Sequence, residues 1–421
     1  MSLSSFIGSR LSFKQDSRSP SAGVVIAVTG IAISFTIMLL AISVVNGFRD
    51  EIVNKLSGFH PQITILPPLP QNNEVSNIKP ITLDDTLRNR IKAAIPEAEI
   101  QLTISQPSMF KTDSTFQGIV IQGVAPGKSW NFIKSNLETG TVPSAENSVA
   151  ESVVISRMTA DALHVKTGDK VLTHFFDGNS LRSRKLLITG IYNSHFKDFD
   201  NNLAFSPVKM LQGVYEIDSI TASSISLNGM ELQQVPAKAE YLYQSLLAES
   251  MRDLEENGDS AGVYRVDNIY SQCAQYISWL NLLDTNVIVI IILMAFVSAF
   301  TLISSLFIII LERVNMIGLF KAIGATNRQI RGIFIFMAQR LVVRGLLIGN
   351  LLSIGAIFLQ QHFHFLPLNP DAYYLNFVPM QLSPLPIIIL NIAVIIIAYL
   401  ILILPSQLIS RISITKSIRY E

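Results

Sequence analysis

The chain has 421 residues, 49% hydrophobic and only 15% charged, with a formal net charge of +1. Average globular domains are roughly a quarter charged, so an ordinary soluble enzyme is a poor fit. Its one cysteine, Cys273, excludes a disulfide within the chain and a cysteine-built metal cluster.

The charges are segregated: residues 19–48, 285–311, 345–370 and 372–410 contain no Asp, Glu, Lys or Arg. A bilayer span needs about 20 apolar residues, and these runs are apolar on every helical face, unlike a surface helix. We expect membrane helices at 22–46, 282–311, 333–360 and 385–408. The first follows a tail, residues 1–21, that carries Arg10, Lys14 and Arg18 against Asp16. Its apolar run is longer than a signal-peptide core and Val44-Val45-Asn46-Gly47-Phe48 is not a small-residue cleavage site, so it reads as a retained anchor. Arg313, Lys321, Arg328 and Arg331 oppose Glu312 in the loop 312–332. Arg340 and Arg344 lie at the same end of the third span, and Arg411, Lys416 and Arg419 oppose Glu421 in the tail 409–421. Short basic loops stay cytoplasmic. Both termini and the 312–332 loop are therefore expected inside, with residues 47–281 and the loop 361–384 outside. From Arg49 to Asp284 there are 20 basic and 27 acidic residues, a net charge of −7, which argues against nucleic acid as a partner.

Within the outer segment, Gln62–Ile65 reads as a strand, followed by a Pro- and Asn-rich linker, Pro67–Asn77. Thr82 is placed to cap a helix over Leu83–Ala94, with Asp84 and Asp85 in its first turn. Glu99–Ile104 and Gly118–Val124 read as strands and Val153–Leu163 as a helix. Lys170–Phe175 and Lys185–Ile191 are strands around the turn Asp177-Gly178-Asn179. Ile220–Leu227 is a strand, Ala237–Glu256 a long helix and Val263–Val266 a short strand. Asp267–Ser278 leads into the second span, read as one continuous helix. The mixture predicts an α+β outer domain inserted between membrane helices 1 and 2.

Catalytic patterns are weak. Gly123–Ser129 resembles a phosphate loop but is one residue short and lies on the outer side, so it reads as a turn. His362 and His364 lack nearby carboxylate or cysteine partners, and His195, Asp198 and Asp200 read as a polar turn rather than a metal site. No nucleophile-elbow motif is present. The expectation is a non-catalytic chain with no metal and no cofactor of its own.

The most informative stretch is Glu312–Arg331, ERVNMIGLFKAIGATNRQIR. It reads as a short amphipathic helix with Ile317, Phe320 and Ile323 apolar. Gly318 and Gly324 mark a close approach or a helix end. Glu312, Arg313, Ile317, Gly318, Lys321, Ala322, Ile323, Gly324, Ala325, Arg328, Gln329 and Ile330 resemble the coupling helix of permeases in the MacB/FtsX group of ABC transporters. Four other stretches are similar to the lipoprotein-releasing (LolC/LolE-like) branch. These are Asn46-Gly47-Phe48 at the membrane–periplasm junction, Gly190–Ser194 with Asp198-Phe199-Asp200, Leu368–Tyr374 with Pro379, and the ending Ser417–Glu421.

That resemblance implies a four-helix MacB/Lol-like permease in the bacterial inner membrane. It implies a LolD-like ATPase partner that holds ATP and Mg, a second LolC/LolE-like permease or another copy of this chain, membrane lipids, lipoprotein cargo and a periplasmic carrier. Lys321 and Arg328 would touch the ATPase while Ile317, Ala322 and Ala325 pack into it. Ile33, Ile37, Leu40 and Val44 with Val289, Ile292, Met294 and Phe300 would line an apolar cavity for acyl chains, and Ser304 and Ser305 would let helices approach. The turn Phe176–Leu181 is short where carrier-recruiting subunits carry a protruding hairpin, which implies a LolE-like role or a system without that hook. Two other readings fit the same pattern. One is a MacB/FtsX-like mechanotransmission permease for peptide export or cell-wall hydrolase control. The other is a membrane sensor or scaffold without ATP coupling.

Overall fold

A computed structural model describes residues 14–16, 19–20, 22–68, 80–113, 115–127, 130–143, 151–177, 180–257 and 263–406. The ending Ser417–Glu421, the tail cations Arg10, Arg18, Arg411, Lys416 and Arg419, the positions Lys128 and Ser129, and the turn Gly178-Asn179 lie outside these residues. The chain divides into two compact units: residues 1–51, 278–367 and 377–421, and residues 52–277 with 368–376.

The first unit is helical. Its long helices are α1 (Ala22–Phe59, whose last turns from Ile52 belong to the second unit), α2 (Ala274–Glu312), α4 (Asn327–Phe363) and α5 (Pro384–Ser406); a short helix, α3 (Val314–Ala322), precedes α4. All four long helices are long and apolar enough to cross a membrane. Small residues set how closely they approach. A Cβ on Gly345 would lie 2.8 Å from the Ile31 Cβ, and one on Gly349 would lie 3.0 Å from the Ala32 carbonyl oxygen. Gly345 and Gly349 therefore seat α4 directly on α1. Gly30 meets Thr301 and Gly23 meets the Ser305 carbonyl in the same way on α2. Ser305 is buried at this contact, whereas Ser304 is exposed, so only the first of the two serines acts as a packing residue. The Asn350 and Asn391 amides hydrogen-bond reciprocally between α4 and α5 at 2.9 and 3.2 Å.

The second unit is α+β. Its strands are β1 (Ile63–Leu66), β2 (Ile81–Thr82), β3 (Glu99–Lys111), β4 (Phe116–Val124), β5 (Leu137–Gly140), β6 (Ser152–Ser156), β7 (Lys170–Asp177), β8 (Ser180–Tyr192), β9 (Leu203–Pro207), β10 (Thr221–Ala222), β11 (Ser224–Asn228) and β12 (Arg265–Asn268). The main sheet runs β12-β1-β11-β3-β4-β9-β6-β8-β5, and β7 pairs with both β8 and β3. That double pairing closes β3, β4, β9, β6, β8 and β7 into a ring. Its core holds Phe110, Ile121, Ile155, Phe175 and Ile188. A closed ring leaves no free edges among its members.

Several expected elements change; the strand expected over Ile220–Leu227, for one, is two strands, β10 and β11, in separate sheets. Residues 153–163 are not one helix: Ser152–Ser156 is strand β6, and the helix begins at Arg157 with Ser156 as its cap, the side chain accepting from the Thr159 N–H. The first helix of the outer unit spans Asp85–Ala94 and is capped by Asp84, not Thr82. The lead into the second span is broken. A single turn, Ile269–Gln272, ends at Cys273, whose φ of −106° and ψ of 30° are not helical, and α2 starts at Ala274.

Candidate functional site

Two clusters carry the residues singled out above, one in each unit. The first is the turn between α2 and α4. Helix α3 ends in a Schellman motif: the Gly324 N–H donates to the Lys321 carbonyl and the Ala325 N–H to the Phe320 carbonyl, at 3.1 and 2.9 Å. Gly324 adopts φ +97°, a conformation costly for any residue with a Cβ, and a Cβ there would meet open space. The glycine is thus required by the backbone and not by a close neighbour. Two residues after Gly324, Thr326 opens α4 with a capping box. Its hydroxyl accepts the Gln329 N–H, and the Gln329 side chain accepts the Thr326 N–H. Gln329 is therefore a capping residue.

Burial sorts the remaining positions. Ile317 and Ile330 are fully buried in a core with Val24, Leu306, Phe334 and Leu402, and Met316, Phe320 and Ala325 pack against it. Gly318 is buried as well. Ile317, expected to pack into a partner, is fully buried and binds α3 to its own unit, whereas Ala325 is half-buried against the same core. The open surface is formed by Glu312, Leu319, Ala322, Ile323, Gly324, Thr326, Asn327, Arg328 and Gln329, with Ile323 75% exposed; Arg313 and Lys321 are half-buried. A small apolar knob, Leu319 and Ile323, thus stands beside the cation Arg328 on a rigidly capped turn.

At the other end of α1, Gly47 is buried because a Cβ would lie 2.6 Å from the Pro379 carbonyl oxygen. Phe48 meets Trp279 edge-on at 6.4 Å, Arg49 pairs with Asp284, and Asn46 is half-buried. Of the residues expected to line a cavity, Ile33, Ile37, Val289, Ile292 and Phe300 are exposed; Leu40 and Val44 are half-buried. Met294 is half-buried and packs against the core formed by Phe35, Met38 and Leu346.

The second cluster lies within the α+β unit. Tyr374, from the segment 368–376, stacks on Phe196 with ring centroids 4.2 Å apart and planes 9° apart. Phe59, Phe199 and Tyr276 complete the cluster. Phe59 is the last residue of α1 and Tyr276 lies in the first turn of α2. Three chain segments that lead into long helices therefore meet in one aromatic knot. Lys55 ties it further, donating to the carbonyls of Ser194 and Tyr374 at 2.9 Å each. Asp198 and Asp200 support this knot, while the His195 N–H donates to the Asn193 side chain. The Asp200 carboxylate accepts from the Ser194 hydroxyl at 2.7 Å and the Ser194 N–H at 3.2 Å, and Asp198 accepts from the Tyr276 hydroxyl at 2.6 Å. Burial pushes the Asp200 carboxyl above its usual range, and burial and then the Asp198 bond push the Tyr276 hydroxyl up. Burial also raises the Cys273 thiol to about 11, which leaves it protonated and unreactive. The sequence signalled this knot only as a family likeness; the spacing of Phe196, Phe199 and Tyr374 alone gives no sign that they touch.

Residues 24–236 match the family described as MacB-like periplasmic core domain, and residues 288–414 match FtsX-like permease C-terminal. The chain belongs to the MacB/FtsX group of ABC transporter permeases. Within that group it is similar to two proteins named lipoprotein-releasing system transmembrane protein LolC. The one from Neisseria meningitidis serogroup B is 22% identical over 436 residues, covering 100% of both chains. The one from Xylella fastidiosa is 20% identical over 418 residues, covering 94% of this chain and 93% of that one. The crystal structure of the periplasmic region of MacB from Actinobacillus actinomycetemcomitans is 12% identical. It covers 54% of this chain and 98% of that one, with a TM-score of 0.34.

Proposed function

We propose that the chain is the permease subunit of an ABC transporter that releases lipoproteins from the inner membrane toward the outer membrane. The observation that carries this reading is the end-to-end similarity to the meningococcal permease, which spans both chains completely. Both termini and the α2–α4 turn are cytoplasmic, and the α+β unit, inserted between the first two membrane helices, is periplasmic. The loop charges support that orientation. A separate LolD-like ATPase binds ATP and Mg and receives the knob Leu319–Ile323, with Arg328 against its acidic groups. A second permease, either LolC/LolE-like or another copy, completes the pair, and a periplasmic carrier takes the product.

The cargo explains the need for ATP. Each acyl CH₂ withdrawn from the bilayer costs about 0.8 kcal/mol, so moving three chains costs tens of kcal/mol unless an apolar surface receives them. Ile33, Ile37, Val289, Ile292 and Phe300 supply such a surface on α1 and α2. ATP-driven displacement of the α3 turn shifts these helices as rods, a rigid-body transition of a common kind. The aromatic knot transmits it to the periplasmic unit.

The test is purification of the tagged chain in mild detergent, mass spectrometry of its partners and an ATPase assay. A co-purifying ATPase with lipoprotein that leaves on ATP addition is the expected result. An ATPase without lipoprotein would redirect the reading to peptide export or hydrolase control. No ATPase at all would sink the transporter and favour a sensor.

A further inference from the structure

The α+β unit contains a cavity of about 790 Å³ beside its sheet, within the range of small-molecule sites. Its floor is unusual for the inner face of a sheet. Residues on one face of a strand alternate with those on the other, and here the two faces differ in kind. One face carries Ile63, Ile65, Ile225 and Leu227, all fully buried. The other carries Thr64, Thr103, Ser224 and Ser226, each also buried, and these line the cavity. A buried row of hydroxyls is not a packing surface; hydroxyls taken from water need hydrogen-bonding partners. Thr103 and Ser226 bond each other at 2.6 Å, and Gln272 donates to Thr64 at 3.0 Å.

Arg265 opens the same space. It sits on β12 opposite Leu66 of β1, another lining residue. Its Nε is buried and has no hydrogen-bond partner among the described residues. Among the described lining residues there is no Asp or Glu, and burial lowers the pKa of the neighbouring His60, which keeps its imidazole neutral near pH 7. The charged side chain that lines the cavity is therefore Arg265; Asp267, two residues along the same strand and opposite Thr64, is not among the lining residues. Arg265 is half-buried, and a guanidinium with a buried, unsatisfied Nε favours a carboxylate or phosphate, which it can take through charge-assisted bonds.

We propose that this cavity binds a small organic oxyanion, a carboxylate or a phosphate monoester. Arg265 takes the charged group, and the polar body lies along the hydroxyl row of Thr64, Thr103, Ser224 and Ser226. The assignment concerns the α+β unit alone and stands independently of the transport reading.

The test is calorimetric titration of the full chain in detergent with two anionic probes, N-acetylalanine and glycerol 3-phosphate. Their neutral counterparts, N-acetylalanine methylamide and glycerol, serve as controls. At least one anion is expected to bind, its neutral counterpart not, and Arg265→Gln is expected to weaken binding about tenfold or more. Which anion binds separates the carboxylate source from the phosphate source. Gln272→Glu, which places a negative charge in the same space, is expected to give a comparable loss and covers the case in which Arg265→Gln fails to fold. Equal binding of anion and neutral counterpart overturns the proposal. So does unchanged affinity in both variants, or no heat from either anion up to about 10 mM.

Discussion

Gly324 shows how one residue fixes the geometry of the α2–α4 turn. Its positive φ closes α3 so that Ile323 and Arg328 are presented together. Gly324→Ala is expected to cost about 1 kcal/mol, from the left-handed backbone alone because no atom obstructs the new methyl. ATPase stimulation by the intact complex should fall more than its thermal stability does; an equal fall in both would assign Gly324 a purely structural role. Asp200 sets a pH dependence. Its carboxyl is pushed above the ordinary 3.8 by burial, so the folded state holds a proton that the unfolded state has released. The stability this contributes is complete below the unfolded value and is lost as pH rises through the folded one. Asp200→Asn removes the titration while keeping a side-chain oxygen for Ser194. Its unfolding midpoint, set against that of the parent protein, should therefore rise between pH 4 and pH 7. A constant difference across that range would show that Asp200 titrates normally.

At the scale of elements, what the sequence reveals depends on whether burial leaves a pattern. The four charge-free runs stand out because a bilayer-spanning helix is apolar throughout, and all four correspond to long helices. Strand β6 reads as helix from sequence because all five of its residues are buried, which erases the alternation that marks a strand. Strand β3 was cut short at Ile104 because Pro107 and its polar neighbours look like a loop. Pro107 is tolerated because it falls between Thr103, where pairing with β11 stops, and Ser108, where pairing with β7 begins. The spacing Gly345-x-x-x-Gly349 is a sequence sign of close helix contact. Gly345→Leu would drive a side chain into Ile31. Overpacking of this sort costs about 1–3 kcal/mol, so the melting temperature in detergent is expected to drop; no drop would mean α1 and α4 do not rely on that contact. The α2–α4 turn is legible as a motif, but its split between buried Ile317 and exposed Ile323 is not, because burial there is decided by α1, α2 and α5. Tyr374→Ala removes the stack on Phe196, a contact of about 0.5–1.5 kcal/mol beyond its buried area. Cargo release per ATP hydrolysed should decline while ATPase activity persists, and unchanged release would exclude the knot from transmission.

At the scale of the molecule, the α+β unit is not one continuous stretch of chain. Residues 368–376 return to it after α2, α3 and α4 have been made. Tyr374 covers a face of Phe196, and its carbonyl accepts from Lys55. A fragment ending at Ile277 would lack that cover. It is expected to bind a hydrophobic dye and to melt below the same fragment supplied with a 368–376 peptide; identical melting would show that the return segment adds nothing.

The consequence concerns synthesis. A ribosome extends the chain from the N-terminus, and domains ordinarily fold as they emerge. Here the periplasmic unit has all of its strands long before it has its last aromatic ring, and that ring arrives only once the third span has been threaded into the bilayer. Completion of the outer fold thus reports on insertion of the membrane helices. A chain stalled before the end of α4 lacks Tyr374 and leaves that face of Phe196 uncovered.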